Sequence, residues 1–214
     1  MDIFEKLYSH RNNEQAIPMA KYMKNRFPFL GLKKPERTAL TKEFLKKKRK
    51  EDKIDWDFIF KAYDMPEREF QYIAIDYMNL IKDKFTPDDM ETIEKLLTTK
   101  SWWDSVDPLS TVVGHIARQH PEVKEGILLK WLKSENIWLN RVSILFQLKY
   151  KDNTDTEFLS KAILHNAKKN EFFINKAIGW ALRKYSKTNK EWVKEFIERH
   201  ELSKLSVREG SKYI

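Results

Sequence analysis

Asp107-Pro108-Leu109-Ser110-Thr111-Val112-Val113-Gly114-His115-Ile116-Ala117-Arg118-Gln119-His120-Pro121-Glu122 carries the rhythm that decides the fold. Leu109, Val112, Val113, Ile116 and Ala117 return at three- and four-residue steps, the period of one face of an α-helix. His120-Pro121-Glu122 then opens a second helix, because proline fits the first turn, where its missing N–H leaves no bond unmade. The pattern extends outward. Ile127, Leu128, Trp131 and Leu132 repeat the rhythm, as do Ile144, Leu145 and Leu148. Thr86-Pro87-Asp88-Asp89 and Thr188-Asn189-Lys190-Glu191 have the form of an N-cap followed by a capping-box acid. Asp152-Asn153-Thr154-Asp155 reads as a turn leading into a helix. Strand alternation is nearly absent, so an all-α chain is expected.

First helices of successive pairs start near residues 55, 87, 122, 155 and 189, at spacings of 32, 35, 33 and 34. A near-constant period of this size predicts a right-handed solenoid of HEAT-like antiparallel helix pairs, with a concave basic face lined by the second helices. No segment reads as an interdomain linker, and residues 1–214 are expected to form one domain. The run Lys46-Lys47-Lys48-Arg49-Lys50 is read as a solvated helix end.

Charge narrows the function. The chain has 41 Lys+Arg against 32 Asp+Glu, a formal charge of +9, with 41% hydrophobic and 13% aromatic residues. Such a surplus is most readily used against phosphate, and nucleic acid is the first partner to expect. With no Cys, disulfide scaffolds, thiol nucleophiles, cysteinyl zinc sites and iron–sulfur clusters are excluded. Met1-Asp2-Ile3-Phe4-Glu5-Lys6 has no basic run ahead of an apolar core, so no signal peptide is expected, and nothing suggests a membrane. Phosphate-cradling glycine motifs are missing. The histidines, His10, His115, His120, His165 and His200, lack metal-ligand spacing, and neither a metal nor a cofactor is expected.

Lys100-Ser101-Trp102-Trp103-Asp104-Ser105-Val106-Asp107-Pro108 is the unusual stretch. Trp103 and Asp107 are four apart and share a helix face, and a carboxylate one turn from an indole is poor core composition. The pair is therefore a site candidate, whereas Trp102 is assigned to the core, with Ser101 and Asp104 expected to cap the helix. Arg141 lies inside a strongly apolar helix, and Trp180 follows Gly179 with Arg183 one turn later. The steps from Trp103 to Arg141 and from Arg141 to Trp180 are 38 and 39, about one repeat each, as a shared concave site requires.

These segments, together with Ile17 to Asn25 and Phe27 to Gly31, resemble the bacterial AlkD family of HEAT-like-repeat alkylpurine DNA glycosylases over essentially the whole chain. The resemblance implies that Trp103, Asp107 and Trp180 are catalytic cleft residues and that Arg141 supports the DNA backbone. It implies base-excision repair of duplex DNA by a monomer in the bacterial cytoplasm, at the nucleoid. The substrates would be cationic purines such as 3-methyladenine and 7-methylguanine, cut without base flipping. Asn140 stands where a second basic residue is common in the family. Lys149, Lys151, Arg183, Lys184 and Lys187, with Tyr22 near the N-terminus, are expected DNA contacts. The competing reading is a non-catalytic helical scaffold, either an architectural DNA binder or a protein-binding module. Asp107→Asn separates the two, and if the carboxylate faces a cleft, little change in stability is expected. Charge alone predicts that duplex affinity falls log-linearly with salt, measured by fluorescence anisotropy; a salt-independent affinity would count against a DNA-backbone mode.

Overall fold

Side-chain caps cut the chain into helices where the sequence marks them. Asp55, Asp155 and Asn189 each accept the backbone N–H three residues on, from Phe58, Phe158 and Trp192, all at 2.9 Å. Thr86 and Asp89 close a reciprocal capping box over a short 3₁₀ turn that runs into the next helix. The computed structural model describes residues 2–214, and among these the secondary structure is entirely helical, with thirteen α-helices and no strand. Contacts gather the chain into two compact units, one reaching to Lys84 and one beginning at Phe85.

The first unit contains α1 (Ile3–Ser9), α2 (Asn13–Tyr22), α3 (Lys34–Lys48), α4 (Trp56–Asp64) and α5 (Arg68–Leu80). α3 and α4 pack on α5 around Leu7, Leu30, Leu32, Ile59, Ile73 and Tyr77. Buried Glu69 accepts the N–H groups of Leu30, Gly31 and Leu32 at 2.9–3.0 Å, which fixes the loop between α2 and α3. Gly31 is required there: its φ is +90°, and a Cβ would stand 1.9 Å from the Asn12 carbonyl oxygen. The basic run ends α3 with Lys46 and Lys47 exposed, while Lys48 turns back to Glu51 at 3.1 Å and to Asp55.

The second unit contains α6 (Met90–Thr98), α7 (Trp103–Gln119), α8 (Leu129–Leu132), α9 (Ile137–Leu145), α10 (Thr156–Ala167), α11 (Phe172–Tyr185), α12 (Lys190–Arg199) and α13 (Lys204–Gly210). α8 is the end of a helix spanning 122–132 whose middle, Lys124–Leu128, widens to a π-helical turn. α7 packs on α9, α9 on α11 and α11 on α13, so the second helices of successive pairs lie against one another in series. Leu109, Val112, Val113, Ile116 and Ala117 are buried, as their spacing predicts. Gly114 permits a close approach of α7 to the end of α9, since a Cβ would come 2.1 Å from the Phe146 carbonyl oxygen.

The caps also set a register that corrects the 38- and 39-residue steps. N-caps Trp102, Asn136, Glu171 and Ser203 stand 34, 35 and 32 residues apart. Counted from them, Asp107, Arg141, Lys176 and Arg208 are all fifth residues, whereas Trp103 is first and Trp180 is ninth. Trp103, Arg141 and Trp180 thus step one turn deeper along each successive helix and are not equivalent positions.

A second registered device closes the pairs. Asn140, the fully buried fourth residue of α9, spreads its amide N–H groups over the carbonyls of Trp131, Leu132 and Ser134 at 2.8–3.2 Å. Gln71, the fourth residue of α5, does the same for Ala62, Tyr63 and Met65 at 2.8–3.2 Å. Each amide satisfies carbonyls that the end of the preceding helix leaves open. Asn140→Ala strands those buried carbonyls and is expected to cost about 3 kcal/mol, a fall in melting temperature of roughly 6–12 °C by calorimetry.

Candidate functional site

α7 begins differently from the capping pattern expected of Ser101. Trp102 is the N-cap, and the Ser101 hydroxyl donates to the Leu97 carbonyl at 2.6 Å, closing the end of α6. Ser101 is still within reach of the preceding helix end, where an open carbonyl accepts its hydrogen bond. Trp102 is buried, as assigned, and its ring meets Trp138 at 5.7 Å and Phe173 at 4.7 Å, with Trp138 and Phe173 at 5.1 Å from each other. These rings come from the starts of α7, α9 and α11 and lock the three together.

Behind that aromatic clamp sits the ion pair on which the site is built. Asp107, on α7, takes a two-pronged contact from Arg141, on α9: Nε donates to Oδ1 at 2.7 Å and Nη2 to Oδ2 at 2.8 Å. Arg141 Nη1 donates to the Phe173 carbonyl of α11. One guanidinium therefore ties three helices, and the paired side chains are 6% and 15% exposed for Arg141 and Asp107. The planar fork of arginine matches a carboxylate in a way that lysine cannot. Burial pushes the Asp107 carboxyl above its ordinary range, Arg141 opposes that by hydrogen bonding and charge, and Asp104 adds to the rise.

Trp103 is half-buried one turn before Asp107 on the same face of α7. Trp180 is half-buried on α11 and is linked to the pair through the packing of α11 on α9. Asn140 is turned wholly inward by its carbonyl bonds, and its Oδ1 accepts from Lys169 at 2.8 Å, so it offers nothing to a phosphate. Lys149, Lys151, Lys184 and Lys187 are exposed, with the Lys187 ammonium 4.4 Å above the ring of Tyr213. Arg183 donates to Glu209 at 3.0 Å. Tyr22 is exposed on α2 of the first unit. Two participants escaped the sequence reading: the Phe173 carbonyl, which no side-chain pattern announces, and Glu209, an acid among cations on α13. Among the described residues no group of three or more His, Asp and Glu is placed to hold a metal ion, and no helix is long and apolar enough to cross a membrane.

The sequence model of the DNA alkylation repair enzyme family matches residues 3–214. The chain belongs to the DNA alkylation repair enzyme family. A solved structure of a predicted DNA alkylation repair enzyme from Enterococcus faecalis is similar to it, with 40% identity and a TM-score of 0.90, over 95% of this chain and 96% of that one. No curated protein matches. Family membership makes DNA repair the frame in which the buried ion pair is read.

Because Arg141 compensates the charge of Asp107 where water is largely excluded, its loss is felt twice. Arg141→Met leaves a buried carboxylate unpaired and is expected to cost about 3–5 kcal/mol in denaturant titrations, most of it recovered by adding Asp107→Asn. It also removes the influence that lowers the Asp107 pKa. The carboxyl then protonates at higher pH, and any rate needing the carboxylate is lost at higher pH as pH falls, read from the acid limb of the profile.

Proposed function

We propose that the protein is a monofunctional DNA glycosylase of the AlkD type, acting as a monomer. It hydrolyses the N-glycosidic bond of cationic N3- and N7-alkylated purines in duplex DNA and leaves an abasic site. The observation that carries this reading is the carboxylate of Asp107, gripped on both oxygens by Arg141 one helical turn from the indole of Trp103.

Chemistry explains why so small a site suffices. An alkylated purine such as 3-methyladenine or 7-methylguanine already carries positive charge and departs neutral, so no general acid is needed. The deoxyribose becomes oxocarbenium-like as the bond breaks, and water must be held for attack. Asp107 answers both needs: its charge attracts the sugar cation, and it can orient water and accept its proton. Arg141 occupies one acceptor position on each oxygen, and a carboxylate has about four, so acceptor capacity remains for water. The poorly solvated surroundings that raise the Asp107 pKa also strengthen its pull on a developing cation. Trp103 and Trp180 add π faces toward the sugar, worth about 0.5–2 kcal/mol each. By its likeness to the AlkD family the enzyme reaches the sugar with the base left in the stack, in contrast to glycosylases that flip the base.

Phosphates are held by Lys149, Lys151, Arg183 and Lys187 of the second unit; Tyr22 is a separate expected DNA contact on the first unit. The five N–H groups of Arg141 are not all used: three are committed to Asp107 and Phe173, leaving two for a backbone oxygen. No lysine is assigned as a Schiff-base nucleophile, which makes the enzyme monofunctional.

Asp107→Asn removes the negative charge and should slow base release by roughly 10²-fold or more, the scale of losing one preorganised electrostatic stabiliser. Asparagine cannot accept the arginine fork on both atoms, so melting also drops, unlike the small change expected for a free cleft carboxylate. Single-turnover release of 7-methylguanine is therefore measured well below the melting point of the variant. Normal excision by folded Asp107→Asn would sink the catalytic assignment. Duplex binding by the wild type with no excision of alkylated purines would leave a non-catalytic DNA binder.

A further inference from the structure

Glu209 has no part in the proposed reaction, yet four cations surround it. It is the sixth residue of α13, and its side chain is 8% exposed. Lys212 Nζ donates to it at 2.9 Å and Arg183 Nη1 at 3.0 Å, while Lys176 Nζ lies 3.4 Å and Arg208 Nη2 3.7 Å away. The hydrogen bond from Lys212, with the charges of Lys176 and Lys212, holds its carboxyl down at about 2. Gly179 allows this arrangement, because a Cβ there would stand 2.5 Å from the Glu209 Cβ and 3.1 Å from the Ser206 carbonyl oxygen.

The acid is covered and the cations are not. Arg183, Lys176, Lys212 and Arg208 are 29%, 39%, 46% and 71% exposed. One carboxylate against four cations leaves a surplus of three positive charges facing solvent. Lys176 lies four residues before Trp180 and Arg183 three after it, so both share its face of α11. Without the buried acid these cations repel and splay, and fixing them costs rotamer freedom at the moment of binding. With it they are held in advance.

We propose that Glu209 is a positioning residue that holds Lys176, Arg183, Arg208 and Lys212 as a preset phosphate-binding surface, occupied by a backbone phosphate of duplex DNA beside Trp180. The occupant rests on the DNA reading given above; the gathering of the cations does not.

The test is titration of unmodified duplex at several salt concentrations, which reads binding without excision. Loss of the glycosylase reading would therefore leave this result standing, and the reverse holds too. Glu209→Gln is expected to weaken binding about five- to tenfold and to make the slope of log affinity against log salt shallower by about 0.9, one phosphate contact. Gly179→Ala displaces Glu209 without altering any charge and is expected to give the same slope change. Arg183→Met is expected to cost less affinity in Glu209→Gln than in the wild type. Equal or tighter binding by Glu209→Gln with an unchanged slope overturns the proposal, since the acid then only repels DNA. So does protection of the wild type from thermal unfolding by inorganic phosphate when duplex binding ignores Glu209→Gln, which marks a free-anion site. Should Glu209→Gln fail to fold, Lys212→Met and Arg208→Met carry the test, and an unchanged slope in both overturns it.

Discussion

Apolar helices tolerate a carboxylate between them only when another group neutralises it, and here that group is a single guanidinium. Arg141 reaches from α9 to Asp107 on α7 and to a backbone oxygen on α11, so the helix that carries the cation is pinned on both sides. The ring cluster of Trp102, Trp138 and Phe173 holds the same three helix starts at the spacing this contact needs. Neither element is sufficient alone. The rings lack direction, and the ion pair lacks the dry surroundings that make its geometry rigid.

Stability gives no reason for this pair. Replacing a buried ion pair by apolar side chains of similar volume is often neutral or stabilising by about 1–4 kcal/mol. A protein that keeps Asp107 and Arg141 buried between helices forgoes that gain, and the cationic sugar of the reaction proposed above would supply a use for it. Glu209 stands in contrast. It lies under exposed cations at the border of solvent, where the question is how like charges are kept together and not how one charge is kept dry.

Much of this was legible before any coordinates. Caps at Asp55, Asp155 and Asn189 mark helix starts because a short polar side chain answers an open N–H within three residues, an effect wholly local in sequence. Trp103 and Asp107 could be singled out together because four residues make one turn. What the sequence concealed lies between elements. Arg141 stood out as a cation in an apolar helix, but its hold on Asp107 joins residues 34 apart and depends on how two helices pack. The N-cap role given to Ser101 falls to Trp102 because the end of α6 competes for the serine hydroxyl. The spacing from Trp103 to Arg141 to Trp180 looked like a repeat because one turn of drift per helix adds only four residues to the true period. Glu209, with Lys204, Arg208 and Lys212 around it, reads as a solvated helix until Gly179 is seen to admit it.

The reach of Arg141 has a consequence for how the molecule matures. Its two partners lie 34 residues earlier and 32 residues later in the chain. Closures of this length are short and quick by the standards of chain diffusion, so α7 and α9 can dock early. The guanidinium is nonetheless incompletely satisfied until Phe173 arrives. A nascent chain released from the ribosome up to residue 170 would already contain Trp103, Asp107 and Arg141, yet would lack the carbonyl that completes the arginine's grip. Completion of the arginine's hydrogen bonds is thereby tied to synthesis of the following helix.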